Sequence, residues 1–345
     1  MLEKSILLPA EIPALLTDRY DFTDVSVGTP IDGGSANLWS VSCDGQRYVL
    51  KEFQSSYTAE DVSHEPQINH ALLERSIPVV SFVCTQSGEY IWRHRDRTFH
   101  LQQHAKGKPC PQHEGPPWLI DRSIRLLSDI HENMPDIPLP IRWPTEWYDF
   151  DIGKLENDFD ALLEKATSLD GTTREVVVAD LTFRRETVSE LGRVELADEM
   201  FTYRLTHGDY HLGQLLIFDR EVSAIVDFSA AGSLPVVWVI IRSFTLSEPD
   251  CSDGSMPVAK LAQHLEHYLD RSPLTLRDVE NMLPLYYCQL LRSKYGYREF
   301  LNGTEDPDDK LAFGMWRTST CRWLNEHLQD ASSDLVSALS PSLRS

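Results

Sequence analysis

Short runs of alternating or apolar residues, separated by turn residues, occupy the first third of the chain. Alternation with a period of two is typical of β-strands, and Asp44-Gly45 is typical of a hairpin turn. Helical periodicity interrupts the strands once, at residues 59–77. The pattern therefore predicts a small antiparallel sheet that carries one helix. The predicted strands are VSVGTPI (25–31), NLWSVSC (37–43), RYVLKEF (47–53), VVSFVCT (79–85), EYIWRH (89–94) and TFHLQQH (98–104).

Beyond Gly107 the periodicity becomes that of amphipathic helices. Four segments have this pattern, at residues 118–134, 146–169, 256–270 and 283–301. The segment AKGKPCPQHEGPP (105–117) is rich in Pro and Gly, which indicates a hinge. We therefore predict an α+β fold with the layout of a two-lobed protein kinase. Residues 1–104 would form an N-terminal β-sheet lobe, and residues 105–345 would form a larger, mainly helical C-terminal lobe; the motifs below would make these the nucleotide-binding lobe and the lobe with the catalytic loop.

Composition narrows the classes of partner. The 345 residues include 53 Asp and Glu against 32 Lys and Arg, which gives a net charge of -21. Such a charge argues against nucleic acid and against anionic membrane as partners, and it would suit a cationic ligand. An acidic balance also simply keeps a protein soluble. The six cysteines are scattered, and no apolar run is long enough to span a bilayer, so we expect reduced thiols and a cytoplasmic protein.

A glycine-rich turn and an isolated lysine indicate a phosphate site in the predicted sheet. Gly33, Gly34 and Ser35 lie between two strands, where backbone N–H groups could approach phosphate without side-chain obstruction. Such a turn is also common in ordinary hairpins. Lys51 stands in an otherwise apolar strand, and Glu65 in the following helix could be the partner that its burial requires. The alternative is an edge-strand lysine that faces water.

The most specific signal is HGDYHLGQ (207–214), which precedes a predicted hairpin at 215–228. Asp209 follows a glycine, Gln214 lies five residues later, and Asp227 ends the second strand. The base of a hairpin could bring these three side chains to one volume. Phosphoryl transfer needs a residue near the acceptor hydroxyl and oxygen ligands for magnesium. The spacing therefore predicts that Asp209 orients the acceptor hydroxyl or accepts its proton, and that Gln214 and Asp227 bind Mg²⁺.

With these motifs the chain resembles the aminoglycoside phosphotransferase and choline kinase-like superfamily. The catalytic loop of that superfamily reads H-G-D-x-x-x-x-N, and its metal-binding Asp follows on the next strand. The resemblance implies ATP or GTP as the phosphate donor, with adenine bound by the backbone around Gln103 and Ala105. It also implies that Asp209 is the catalytic base. The resemblance covers the turn at 33–35, Lys51, Glu65, the hinge near 103–105, the helix ending at 129–131, and the loop from His207 to Phe228.

Two positions depart from the superfamily pattern. Gln214 replaces the usual Asn and is one methylene longer, although the H-L-G-Q form resembles a variant in maltokinase-like members. The sequence PVVWVIIRSF (235–244) stands where D-L-A often follows the metal-binding Asp. Arg242 is a candidate for the missing structural role by its position alone.

Several other segments invite interpretation. His94-Arg95-Asp96 copies the protein-kinase catalytic tripeptide, but it lies between two strands, so we predict a charged turn. We expect His207 to orient its loop by hydrogen bonds, and RSKYGYRE (292–299) to be the polar face of a helix. Acidic segments would be solvated surface or would line a pocket for an amine; they are the loops 248–254 and 304–309, with Asp149, Asp151, Glu156 and Asp158 as further candidates.

The sequence leaves the acceptor open. We expect the hydroxyl of an aminoglycoside or of another amine-bearing antibiotic or metabolite. A metabolic kinase for a sugar, homoserine or choline would share all these motifs. A catalytically silent nucleotide-binding module is a further alternative, because of Gln214. A protein kinase is least favoured, since no A-P-E sequence closes an activation segment.

Overall fold

A five-stranded antiparallel sheet, preceded by one helix, forms the first part of the fold. The computed structural model describes residues 3–31, 36–139, 147–304 and 306–344. Five of the six predicted strands are present, and the sixth, at 79–85, contributes only isolated bridges at Val79 and Phe82. The strand order is β1-β2-β3-β5-β4. The elements are α1 (Ile12–Tyr20), β1 (Val25–Ile31), β2 (Ala36–Cys43), β3 (Gln46–Phe53), β4 (Ile91–His94) and β5 (Arg97–Gln103).

The predicted helix between β3 and β4 is divided into α2 (Ala59–Val62) and α3 (His64–Glu74). Thr58 and Asp61 form a capping box that starts α2. In α3, Ile68 and Leu72 are fully buried. Glu65 lies three residues before Ile68, on the same helix face, so packing of these apolar residues directs its carboxylate toward the sheet.

Helices dominate the rest of the described chain, together with two small sheets ordered β6-β8-β9 and β7-β10. The predicted hinge is not a free linker, because β6 pairs with the hairpin strand β8. The strands are β6 (Lys108–Pro109), β7 (Tyr203–Thr206), β8 (Leu215–Phe218), β9 (Glu221–Ile225) and β10 (Gly232–Pro235). The helices are α4 (Pro117–Asn133), α5 (Ile152–Ala166), α6 (Gly171–Thr187), α7 (Val236–Ser247), α8 (Val258–Leu269), α9 (Leu276–Arg292), α10 (Tyr297–Leu301) and α11 (Pro307–Leu339).

Two helix predictions need correction. The predicted helix at 283–301 is two helices, because α9 ends at Arg292 and α10 begins at Tyr297. Between them Gly296 has φ 101°, which is incompatible with a continuous helix. RSKYGYRE is therefore not one helical face. The helix predicted from residue 146 begins at Ile152, where the Asp151 carboxylate caps the Lys154 N–H at 2.9 Å.

The main hydrophobic core connects the helical part to α3. Ile68 and Leu72 of α3 belong to the same buried cluster as α4, α7, α8 and α9. A second cluster packs α1 against the five-stranded sheet. Because α3 packs into the main core, Glu65 is held against the hairpin that carries Asp227. Among the described residues, no helix combines the length and the apolar character needed to cross a membrane.

Candidate active site

A buried lysine lies between two carboxylates at the junction of the sheet and the hairpin. Lys51 is 4% exposed, and its Nζ lies 2.7 Å from Asp227 Oδ1 and 3.4 Å from Glu65 Oε1. Glu65 is 2% exposed, whereas the Asp227 side chain is 28% exposed. Residues separated by 176 positions in sequence thus form one charged cluster. A buried charge needs such partners to offset its lost hydration.

The charges in this cluster stabilise one another. Burial alone would raise the pKa of Glu65, but Lys51 and His100 hold that pKa below its usual range. Burial would likewise raise the pKa of Asp227, and the ammonium of Lys51 instead holds it well below its usual range. The pKa of Lys51 is raised by the same two carboxylates, against the effect of burial. All three groups are therefore charged at neutral pH.

The backbone at Asp227 turns sharply. Asp227 has φ 66° and ψ 65°, a left-handed conformation that ends the second strand of the hairpin. Its Oδ1 also accepts a hydrogen bond from Ser229 Oγ at 2.6 Å. This turn directs the Asp227 carboxylate away from the hairpin and toward Lys51.

His207 ties the HGD loop to the hairpin, which confirms the orienting hydrogen bonds expected from the sequence. Its Nε2–H donates to the Val226 carbonyl oxygen at 2.8 Å, and its Nδ1 accepts the Asp209 N–H at 3.3 Å. Burial lowers the pKa of His207, so the ring is neutral and can both donate and accept. Gly208 has φ 85°, and a Cβ there would collide with the Ala230 carbonyl oxygen. Only glycine fits this position.

Asp209 is paired with Arg242, one turn before the end of the apolar helix α7. The Arg242 Nη2 lies 2.5 Å from Asp209 Oδ1, and the Asp209 side chain is 41% exposed. Burial would raise the pKa of Asp209, but Arg242 and the nearby His211 hold it well below its usual range. The carboxylate is thus held charged, oriented and accessible. The sequence indicated Arg242 only by its position; its charge within the run VVWVIIRSF was the available signal.

Gln214 lies between Asp209 and the strand that leads to Asp227. Its backbone carbonyl oxygen accepts a hydrogen bond from the Val226 N–H at 3.0 Å, and its side-chain Nε2 donates to Asp209 Oδ2 at 3.4 Å. The three residues predicted from the spacing are therefore neighbours along one edge of the hairpin. Within the described residues, no three His, Cys, Asp or Glu side chains form a ready-made metal site. A metal would need oxygen ligands from the Gln214 amide and from bound phosphate as well as from Asp227.

The structure also gives the positions of other residues that the sequence predicts to contact the nucleotide. Gln103 ends β5, and its N–H already donates to the Ser81 carbonyl oxygen at 2.8 Å. Ala105 follows in the irregular segment between β5 and β6. Gly33, Gly34 and Ser35 lie outside the described residues. In the copied tripeptide, His94 ends β4, and Arg95 and Asp96 form the predicted charged turn to β5.

A cleft of about 1110 Å³ opens beside Asp209 and Arg242. Its walls come from α7, α9, α11 and the loop after β6, and they are rich in aromatic residues. The aromatic side chains are those of His113, Tyr286, Tyr295, Phe313 and Trp316, and Arg317 also lines the cleft. This volume lies slightly above the range of roughly 300–1,000 Å³ that is common for small-molecule sites, so the cleft has room for such a ligand.

Few of the proposed acidic residues reach this cleft. Asp309 lines it, at the start of α11. Asp158 is instead paired with Lys294, and Glu248 is bound to Lys260 at 2.6 Å. Asp151 caps α5. The cleft is therefore not the strongly acidic pocket that the net charge of the chain favoured.

Comparison with known proteins identifies the family. The model of the phosphotransferase enzyme family (APH) matches residues 27–238, which is more than half of the chain. The chain belongs to this phosphotransferase family. The match spans Lys51, Glu65, Asp209, Gln214 and Asp227. It confirms the resemblance drawn from the motifs and the prediction of a small-molecule phosphotransferase that acts on an alcohol group. No curated protein sequence matches the chain.

Solved structures show the same fold. An aminoglycoside phosphotransferase from Alicyclobacillus acidocaldarius has 18% identity, covers 96% of this chain and 98% of its own, and has a TM-score of 0.62. A spectinomycin phosphotransferase solved with ADP and spectinomycin has 12% identity, covers 98% and 99%, and has a TM-score of 0.59. An amicoumacin kinase solved with AMP-PNP, Ca²⁺ and its ligand Ami has 14% identity, covers 90% and 92%, and has a TM-score of 0.57. The two-lobed kinase-like fold predicted from the sequence is thus confirmed.

Proposed function

We propose that this phosphotransferase moves the γ-phosphate of ATP or GTP to a hydroxyl of a small, amine-bearing molecule, with Mg²⁺ as cofactor. The observation that carries the proposal is the arrangement of charges around the hairpin. Lys51 lies between Glu65 and Asp227 and offers a cation to the phosphates. Asp209 lies in the loop before the same hairpin and lines the cleft. A cytoplasmic location stays a prediction.

Lys51 and the hinge would bind the nucleotide. The Lys51 ammonium would contact the α- and β-phosphates while Glu65 keeps it in place. Because the Gln103 N–H is already bonded to Ser81, the Gln103 carbonyl oxygen and the Ala105 backbone would form the hydrogen bonds to the purine of the nucleotide. The turn at Gly33, Gly34 and Ser35 would cover the phosphates.

Asp227 and Gln214 fit the ligand preference of Mg²⁺. Magnesium takes oxygen donors and is usually held by one or two carboxylates together with substrate phosphates. Asp227 provides a charged, partly exposed carboxylate, and Gln214, whose backbone carbonyl binds the N–H of the neighbouring Val226, would provide a side-chain amide oxygen. When bound, the metal would neutralise charge on the phosphates. The Ca²⁺ in the amicoumacin kinase complex is a precedent for a divalent metal in this fold.

Asp209 would orient the attacking hydroxyl. One carboxylate oxygen accepts the hydrogen bond of the hydroxyl while Arg242 holds the other. The hydroxyl oxygen forms a bond to the γ-phosphorus as the bond to the β-phosphate oxygen breaks, and the hydroxyl proton leaves to Asp209. Because the Arg242 guanidinium lowers the Asp209 pKa, the carboxylate is a weak base. This suits a loose transition state, in which the proton leaves late.

An amine on the acceptor is supported by the carboxylate of Asp309, which lines the cleft. The spectinomycin and amicoumacin enzymes make an antibiotic acceptor one candidate. A metabolic sugar, homoserine or choline kinase and a silent nucleotide-binding module remain the alternatives.

A nucleotide-consumption screen tests the proposal. ATP and GTP with Mg²⁺ are incubated with aminoglycosides, peptide antibiotics, amino alcohols, amino acids and sugars. Turnover with one acceptor class would name that class. Nucleotide binding in a thermal-shift assay, without turnover on any acceptor, would support the silent module instead.

Two variants test the assigned roles. Asp209→Asn should lower kcat by roughly 10²–10⁴-fold and leave the nucleotide Kd nearly unchanged, because Asp209 acts in the transfer step. Asp227→Asn should weaken binding of the metal–nucleotide complex as well. Equal, mild effects of both substitutions would contradict these roles.

A further inference from the structure

A buried arginine in the acceptor cleft has no partner among the described residues. Arg317 of α11 lines the cleft and is 6% exposed, yet it forms no hydrogen bond or ion pair with any residue in the described ranges. Arg184 is also buried, but unlike Arg317 it has hydrogen-bond partners within the described ranges, as a buried arginine usually does. It donates to Thr318 Oγ1 at 2.7 Å and to the carbonyl oxygens of Leu290 and Ser293 at 3.0 and 2.6 Å.

The guanidinium of Arg317 carries its charge in this poorly hydrated position. Burial, together with repulsion from Arg184, lowers the pKa of Arg317 to about 10, so the group stays protonated at neutral pH. The Phe313 ring lies 5.5 Å from Arg317 Cζ, a contact that orients the guanidinium without neutralising it. A buried cation without a counter-ion is unfavourable for the free protein. A perturbed, unpaired charge that lines a cleft is a candidate for binding a ligand of opposite charge.

The acids of the cleft do not neutralise Arg317. Asp209 is bonded to Arg242. Asp309 is exposed and lies eight residues earlier on α11, which corresponds to about 12 Å along a helix. Arg242, Tyr286 and Arg317 all line the cleft, and both arginines oppose the rise in the pKa of Tyr286 that burial causes. An anion at Arg317 would thus share the cleft with a hydroxyl at Asp209.

We propose that Arg317 binds a carboxylate of the acceptor, so that the substrate is a hydroxy acid or hydroxyl-bearing amino acid. This inference rests on the proposed function, since the same molecule presents its hydroxyl to Asp209. The planar guanidinium matches a carboxylate through two parallel N–H···O bonds. One monoanion balances the single unpaired charge. An amine on the same molecule, near Asp309, would make the acceptor a zwitterion.

Paired ligands test the site directly. Serine, homoserine and 4-hydroxybutyrate are compared with their primary amides by calorimetry, in the presence of Mg²⁺ and AMP-PNP. We expect at least one acid to bind the wild type roughly 30-fold or more tightly than its amide, as is typical of a buried charge pair. In Arg317→Met the difference should fall to within about twofold, and Arg317→Lys should restore part of it.

Arg322→Met is the matched control. Arg322 lies five residues further along α11 and is paired with Asp180 at 2.7 Å, outside the cleft. This variant should keep the full preference for the acid. The apo Arg317→Met protein should unfold at the wild-type temperature or above, because the substitution removes an unpaired buried charge. A lower unfolding temperature would indicate a structural role for Arg317.

The inference and the proposed function fail in different ways. If no acid in the panel is preferred over its amide, or if Arg317→Met keeps the preference, the carboxylate site is wrong. If amine acceptors without a carboxylate are phosphorylated but no hydroxy acid is, the kinase stands and the carboxylate site falls. If acids bind in an Arg317-dependent manner but none is phosphorylated, the carboxylate site stands and the acceptor assignment falls.

Discussion

Replacing Lys51 by methionine is the sharpest perturbation of the charged cluster. The substitution keeps most of the side-chain volume but removes the cation between Glu65 and Asp227. In the variant, the Asp227 carboxylate would still be stabilised by water, because its side chain is 28% exposed, and by the hydrogen bond from Ser229. Glu65 is 2% exposed and would retain only His100, whose Nε2 lies 3.7 Å away. The cost therefore falls mainly on Glu65.

The magnitude follows from this burial. Removing one partner of a buried ion pair costs about 3–5 kcal/mol, because the other charge is left without compensation. With an unfolding entropy of about 2.1 cal/mol/K per residue, a chain of 345 residues loses about 1 °C in Tm for each 0.7 kcal/mol. Lys51→Met should thus lower the Tm by about 4–7 °C. The double variant Lys51→Met/Glu65→Leu removes the unpaired carboxylate and should recover at least half of the loss.

The loss should also depend on pH. In the wild type the Glu65 pKa is below its usual range, so its contribution to stability is present above about pH 4.3 and is lost at lower pH. Without Lys51, burial raises the pKa of Glu65, and protonation then relieves the unpaired charge. The difference in Tm between the variant and the wild type should therefore shrink from pH 8 to pH 5.

Thermal unfolding followed by circular dichroism, without nucleotide or metal, measures these differences. The same proteins are assayed for nucleotide consumption, which Lys51→Met should nearly abolish. Equal Tm values for the single and double variants would refute the reasoning, because Glu65 would then not depend on Lys51. A difference in Tm that is constant from pH 8 to pH 5 would refute the titration argument.

Three further predictions concern single residues. Arg242→Met should move the acidic limb of the kcat/KM profile to higher pH, because Arg242 no longer lowers the Asp209 pKa, and Arg242→Lys should reverse part of the shift. Gly208→Ala should lower kcat at least roughly 100-fold by displacing the loop, whereas Gly88→Ala, with φ 84° in place of 85° but open space around it, should keep activity. His264→Leu should stabilise the protein by about 1 kcal/mol at pH 7.5 and by about 2 kcal/mol more at pH 5. His264 is buried without a hydrogen bond among the described residues, and burial lowers its pKa to about 3.

Each of these has a contradicting result. An unchanged pH profile in Arg242→Met would separate that guanidinium from the charge state of Asp209. Equal loss of activity in the two glycine variants would assign the effect to backbone strain rather than to the collision with Ala230. Because the pKa of His264 is lower in the folded state, the stability of the wild type falls as the pH drops below about 6.5. A gain from His264→Leu that is independent of pH in urea unfolding would therefore be inconsistent with a buried neutral imidazole.

The sequence predicted the strands of the sheet better than the helices. Alternating residues and the Asp44-Gly45 turn are local signals, and the hairpin from β2 to β3 follows them closely. The helix α7 was not predicted, because nearly all of its residues are buried and it has no polar face to give a period. The break at Gly296 was missed, since apolar residues continue with helical spacing across it.

The sequence by itself determined the identity of the chemical groups. Lys51, Asp209, Gln214 and Asp227 could be named because a cation in an apolar strand, and polar residues at the base of a hairpin, conflict with ordinary core patterns. Their spacing is local, within one strand or one hairpin. Residue type and local spacing therefore sufficed for the family.

Only the tertiary structure decided which charges are neutralised. The pairing of Arg242 with Asp209 and the lack of a counter-ion at Arg317 among the described residues depend on how α7, α9 and α11 pack. The hydrophobic periodicity of each helix does not show which other helices it contacts. The net charge of the whole chain would suit a cationic ligand, but charge acts through distance and burial, and two of the acidic candidates, Glu248 and Asp158, are paired outside the cleft. The electrostatics of the acceptor site thus follow from packing and not from composition.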